Sequence, residues 1–170
     1  MESLRLVLSL AATNLEGDKL HDRRPESEDR TQISVIDISR AYFNARKHEG
    51  DEPTYVELPD EDPGKAQGLC GLLNVHMYGT RAAADGWHME YSSVMKSMGF
   101  IMGDASACVF RHPKRRIVSS VHGDDFTNSG PKEQLDWFKA ELSKKYELTE
   151  NYRIGPGKTM AKTQKFRIEP

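Results

Sequence analysis

The sequence predicts an α+β fold: an antiparallel sheet covered by helices on one face, in the split βαβ arrangement. Three observations carry this reading. Segment 32–37, Gln-Ile-Ser-Val-Ile-Asp, is rich in β-branched residues and reads as an interior strand ending on a carboxylate. Gly123-Asp124-Asp125 stands between apolar runs, the signal of a hairpin. Two further segments carry apolar residues at helical spacing, one before the hairpin and one after it.

Taken in order, residues 1–12 read as a short, mostly buried helix through Leu4, Leu6, Val7, Leu8 and Leu10. Glu2 and Arg5 interrupt the apolar stretch and no small-x-small cleavage site follows, so it is not read as a leader. Segment 14–30 is polar and reads as a long exposed loop, and 54–58 as a short strand between Pro53 and Pro59. In 82–98, Trp87, Tyr91, Val94, Met95 and Met98 fall on one helical face, and Gly99 closes the helix as a C′ residue. Segments 107–110 and 116–121 read as strands, the second running into the hairpin. Ser129-Gly130-Pro131 starts the next helix, with Pro in the first turn and Leu135, Phe138, Leu142 and Tyr146 on its face. Residues 1–150 form the expected domain; 151–170 are a tail with a turn at Gly155-Pro156-Gly157 and a last strand at 165–168.

At 170 residues the chain has room for one domain. Roughly 70% of the unfolded surface can be buried at this size, so a core forms without staples. With 37% hydrophobic and 29% charged residues that core is lean. Cys70 and Cys108 form no Cys-x-x-Cys pair, which suggests buried thiols in a reducing compartment. No run approaches the roughly 20 apolar residues of a membrane span, so an intracellular, non-secreted protein is expected. A net charge of −2 argues against a small dedicated nucleic-acid binder. The charge is unevenly spread, with an acidic run at 49–62 and a basic cluster of Arg111, Lys114, Arg115 and Arg116; each alone reads as a solvated face. The six histidines lack ligand spacing. Gly155-Pro156-Gly157-Lys158-Thr159 lacks the phosphate-loop frame, and no Gly-x-Ser-x-Gly elbow is present.

The chemistry rests on carboxylates. If the strand ending at Asp37 neighbours the Asp124-Asp125 hairpin, three acids converge. Bare anions held a few Å apart raise one another's pKa, and a divalent cation removes that cost. Hard oxygen ligands completed by water and substrate phosphates suit Mg²⁺, with Mn²⁺ as a substitute. Two such ions about 4 Å apart clamp an in-line phosphoryl transfer. The reaction class is nucleotidyl transfer. Each acid taken alone reads as ordinary turn chemistry.

Several segments in order carry a resemblance. Asp37-Ile38-Ser39-Arg40-Ala41-Tyr42-Phe43 resembles the Asp-x-x-x-Ala-aromatic motif of reverse transcriptases, and Val121-His122-Gly123-Asp124-Asp125-Phe126 resembles their Tyr-x-Asp-Asp hairpin. Between them, Tyr55-Val56-Glu57-Leu58-Pro59, Met77-Tyr78-Gly79-Thr80-Arg81 and Trp87 follow the order seen in the polymerase domain of copia-type LTR retrotransposons. Segment 3–12 looks like that family's helix ahead of the first catalytic strand, and 15–31 like an insertion. The resemblance spans about residues 1–148. It implies a polymerase palm with truncated fingers and a thumb absent or minimal, acting as an RNA-directed DNA polymerase fragment of a longer polyprotein with integrase and RNase H. It implies Asp37, Asp124 and Asp125 as catalytic, metal-holding acids for two Mg²⁺ ions. Ser39, Arg40, Ala41, Tyr42 and Arg81 are implied to bind the nucleotide, the amides of 39–41 at the triphosphate and Tyr42 beneath the sugar, where it favours dNTPs. His122 and Gly123 lie near the primer end. The partners implied are an RNA or DNA template with its primer, and dNTPs, in a cytoplasmic virus-like particle or the nucleus.

The departures are specific. His122 replaces the tyrosine of the hairpin motif, and Ala82, Ala84 and Asp85 replace the family's Gln, Pro and Arg after the Tyr-Gly segment. They motivate a second reading, a catalytically idle retroelement remnant or nucleic-acid-binding module. A third is a fragment of an RNA-dependent RNA polymerase, whose hairpin Gly123-Asp124-Asp125 also resembles; Tyr42 counts against it.

Overall fold

The computed structural model describes residues 2–12, 31–47, 50–80, 82–155 and 160–161. The helices are α1 (Glu2–Ala12), α2 (Ala83–Ser97) and α3 (Lys132–Ser143). The strands are β1 (Thr31–Ile38), β2 (Tyr55–Glu57), β3 (Cys70–Leu72), β4 (Ile101–Met102), β5 (Val109–His112), β6 (Ile117–His122), β7 (Asp125–Pro131), β8 (Leu148–Ile154) and β9 (Met160–Ala161). The chain divides into two compact units, Met1–Ser39 with Met95–Pro170, and Arg40–Val94.

The first unit is built on a seven-stranded sheet, ordered β4-β5-β6-β7-β1-β8-β9, with every pairing antiparallel. The β-branched run 32–37 sits in β1, between β7 and β8, where its apolar side chains can be covered. Along the chain β1, α2, β6, β7, α3 and β8 succeed one another, and β8-β1-β7-β6 is their order in the sheet, which is split βαβ connectivity. Alternation puts Ser34, Ile36 and Ile38 of β1 on one face, all buried. Ile36 opposes Phe126, and Phe126 opposes Val121. Leu135, Phe138 and Leu142 of α3 complete this core, and each large side chain fully buried there contributes about 2 kcal/mol.

A polar row runs through the same core. The Ser119 hydroxyl donates to Asn128 Oδ1 at 2.6 Å, and Asn128 Nδ2 donates to the carbonyls of Phe126 and Ser34 at 2.9 and 3.3 Å. All three side chains are buried, so a register slip strands their polar groups without partners and the pairing is fixed. Glu150 of β8 ties strands to helix: it accepts from Ser34 Oγ at 2.6 Å, Lys139 Nζ at 3.0 Å and Arg153 Nε at 2.7 Å. Burial alone raises a carboxyl's pKa, but these bonds prevail and hold Glu150 below its usual value.

The second unit holds the two-stranded sheet β2-β3, a bridge between Arg46 and Val75, and most of α2. Trp87, Tyr91 and Val94 are its buried helical face. The acidic run is partly neutralised by Lys65, whose ammonium reaches Asp60 at 2.6 Å and Glu57 at 2.9 Å. At its far end α2 closes as the sequence predicts: Gly99 has φ of +92°, its N–H bonds Lys96 O, and the Phe100 N–H bonds Met95 O, a Schellman arrangement.

Other expectations change. Among the described side chains of α1 only Val7 is fully buried while Leu4, Leu6 and Leu8 are exposed, because leucines spread around a helix cannot all face one sheet. α1 contacts β7, β6 and β1. Residues Phe126 to Pro131 are all buried, so neither face of β7 is open and the picture of a sheet covered on one face fails there. β7 runs through Pro131, which is the N-cap of α3 with φ −61° and ψ 146° rather than a first-turn residue. The stretch 151–154 belongs to β8, so the strand crosses the expected boundary at 150. Both cysteines are exposed, Cys70 on the short strand β3 and Cys108 in the loop before β5. The polar loop 14–30 and the last strand at 165–168 lie outside the described residues. No helix among the described residues is long and apolar enough to cross a membrane.

Candidate active site on the central strands

Asp37 is the penultimate residue of β1, and alternation turns its side chain to the face opposite Ile36 and Ile38. In the β1–β7 register it stands directly across from Asp125, so the two carboxylates share a face with Cβ atoms about 5 Å apart. Asp124 reaches the same neighbourhood by a different route. β6 and β7 are joined by the two residues Gly123 and Asp124; Gly123 has φ of +62° while Asp124 keeps an ordinary negative φ. A positive φ at the first central position alone is the type II′ turn, whose twist matches a hairpin and which demands glycine there. The turn docks on β1 through its backbone: the Ile38 N–H donates to Asp124 O at 3.0 Å. That bond uses the Asp124 carbonyl and not its carboxyl.

The charge of Asp124 bears on both neighbouring carboxyls. Partial desolvation, then the charge of Asp124, pushes the Asp37 carboxyl above its usual range. Partial desolvation, then Asp124, then Asp37, does the same for Asp125, with His122 pulling the other way. His122 is exposed and lies opposite Asp125 in the β6–β7 register. Among the described residues no Lys or Arg forms an ion pair with any of the three acids. Clustered anions without a protein cation are a donor set that suits a hard divalent ion. Among the described residues no three His, Cys, Asp or Glu side chains close into one metal cage. Mg²⁺ does not require one, since it is held by one or two carboxylates with water and substrate phosphates completing the octahedron.

The other residues singled out in the sequence fare differently. The Ser39 N–H donates to Glu147 O at 2.8 Å, and Ala41 is fully buried, so neither amide is open to a phosphate. The sequence reading has no strand at β8, whose signal is the alternation of Leu148, Glu150 and Tyr152 among polar neighbours. Arg40, Ala41 and Tyr42 belong to the second unit. Arg40 takes a left-handed conformation with φ of +54° ahead of the 3₁₀ turn Ala41–Asn44. Tyr42 packs edge-on against Tyr78, ring centroids 4.4 Å apart, and Phe43 lies 5.8 Å from the same ring. Arg81 lies outside the described residues. Comparison with protein-family models and with curated proteins finds no match to the chain.

Proposed function

We propose that the chain is the palm region of a template-directed nucleotidyltransferase, an RNA-directed DNA polymerase similar to those of copia-type retrotransposons. The observation that carries this reading is the pairing of Asp37 with Asp125 across adjacent strands, with Asp124 in the turn that docks on β1. Strand pairing sets Asp37 opposite Asp125, residues remote in sequence, and this supports the reading. Asp37, Asp124 and Asp125 would hold Mg²⁺, which when bound supplies charge neutralisation at the attacking and leaving oxygens of the phosphoryl group. The protein's own contribution is orientation. The II′ turn and the Ile38 amide hold the hairpin against β1, which under this reading would orient its carboxylates before substrate arrives. The natural substrates under this reading are dNTPs, an RNA or DNA template and a primer with a free 3′-hydroxyl, and the chain is one segment of a longer polyprotein.

The test is extension of a labelled primer on an RNA template with dNTPs and Mg²⁺ or Mn²⁺. Asp124→Asn is expected to lower the rate by at least a hundredfold, as loss of a principal electrostatic group does. Equal extension by that variant removes the catalytic role. A second reading, an idle nucleic-acid-binding remnant, is favoured by the committed Ser39 amide and the buried Ala41. It predicts salt-sensitive oligonucleotide binding with no extension by the wild-type chain.

A further inference from the structure

The strand register lines up three ionisable side chains drawn from three strands. Asp37 of β1 stands across from Asp125 of β7, and Asp125 stands across from His122 of β6. Residues directly opposite in a ladder point to the same face, so Asp37, Asp125 and His122 form one row with Asp125 in the middle. Neighbouring Cβ atoms in such a row are about 5 Å apart, a span that one cation can bridge between two side chains.

The hairpin end of this row is open to solvent. His122 and Asp125 are exposed, whereas the residues next inward on the same face, Ser120 and Thr127, are buried. The row therefore lies where the covered face of the sheet ends. Gly123 and Asp124 close the hairpin in two residues, so the backbone alone fixes the spacing of His122 and Asp125. The charge of His122 bears on the Asp125 carboxyl. Among the described residues the two form no direct ion pair, so their polar atoms are not closed on each other.

The two flanks of Asp125 differ in donor type. On one side it meets a carboxylate, on the other an imidazole. Carboxylate and water oxygens suit Mg²⁺, while an imidazole nitrogen suits the later first-row divalent ions, whose affinity for mixed nitrogen and oxygen sites rises along the series.

We propose that His122 and Asp125 form a nitrogen–oxygen pair that holds a first-row transition cation in preference to Mg²⁺. The proposal rests on the nucleotidyltransferase reading for the role of Asp125 and deepens it, since it names the ion that the hairpin side of the site takes. The pair supplies two ligands and water fills the other positions, in agreement with there being no cage of three such side chains among the described residues.

The test is calorimetric titration of the wild-type chain, His122→Ala and Asp125→Asn with Co²⁺ and separately with Mg²⁺, the Co²⁺ series also being followed by visible absorption, which reports a nitrogen ligand. Wild type is expected to bind Co²⁺ more tightly than Mg²⁺. Loss of even an outer-shell partner weakens metal binding about 10- to 100-fold, so His122→Ala should weaken Co²⁺ by at least that much and leave Mg²⁺ within about twofold. Asp125→Asn should weaken both. His122 is exposed, and an unchanged thermal midpoint without metal checks that the fold is kept. Equal Co²⁺ affinity in wild type and His122→Ala overturns the proposal, as does an equal loss of both ions in that variant. Primer extension on the same samples separates the two claims. A wild-type chain that binds Co²⁺ through His122 but extends with no metal keeps the pair and refutes the polymerase reading; one that extends while His122→Ala binds Co²⁺ as wild type does the reverse.

Discussion

At Asp37 and Asp125 the chain holds two carboxylates directly across a strand pair, an arrangement that costs stability. Both pKa values are raised in the folded state, by partial desolvation first and by neighbouring acids second. The native state therefore binds more protons than the unfolded one, whose aspartates titrate near about 3.9. The stabilising contribution of these groups is full below that pH and is lost as pH rises through the raised native values. Asp37→Asn should thus change stability little at pH 3 and raise it at pH 7 by about 0.5 kcal/mol, the scale of a like-charge cross-strand pair. Urea unfolding at the two pH values, with chelator present, checks this. A variant less stable than wild type at pH 7 contradicts it.

Among the elements, α2 shows how a local rule yields to packing. Gly86 sits inside this helix, where alanine gains about 1 kcal/mol in propensity. A Cβ there lies 2.2 Å from Nε2 and 2.3 Å from Cδ2 of His76, a ring that is 3% exposed and cannot move aside freely. Overpacking of this kind costs about 1–3 kcal/mol and more when a whole ring must shift, so Gly86→Ala is expected to lower stability by about 1–2 kcal/mol net. Thermal or urea unfolding of the variant decides it, a gain in stability being the contrary result. The same scale shows what the sequence made legible. α2 was readable because Trp87, Tyr91 and Val94 carry strong periodicity and Gly99 a clean stop; β1 and the β6–β7 hairpin because β-branched runs flank a turn that needs glycine. β8 was missed because its stability comes from pairing with β1 and from the Glu150 bonds to Ser34, Lys139 and Arg153, which no window of sequence contains. The fixed φ of Pro131 suits a helical first turn and an N-cap alike, and the pairing of Thr31 with Pro131 decides for the strand end.

Over the whole molecule, the residues brought together and those left apart follow from chain topology. Strand order β7-β1-β8 sets Asp37 beside the hairpin and simultaneously spends the Ser39 amide on Glu147, so one pairing pattern builds the acidic cluster and closes a neighbouring donor. The pairing of Asp37 with Asp125 is legible because both stand at strand ends; the bond of the Ser39 amide depends on β8, which no local pattern marks. The basic cluster at 111–116 reads as a solvated face from its sequence alone, since the stacking of the Arg115 guanidinium on the Trp137 ring is tertiary. The proposed function requires the three acids to bind a cation together. The most direct test is a Mn²⁺ titration followed by thermal unfolding and by the paramagnetic signal of free Mn²⁺, for the wild-type chain and for Asp37→Asn and Asp124→Asn. The wild-type midpoint should rise with Mn²⁺ while free Mn²⁺ is depleted, and both effects should be largely lost in each variant. A wild-type chain that takes up no Mn²⁺, or variants that take it up as well as wild type, would contradict the account.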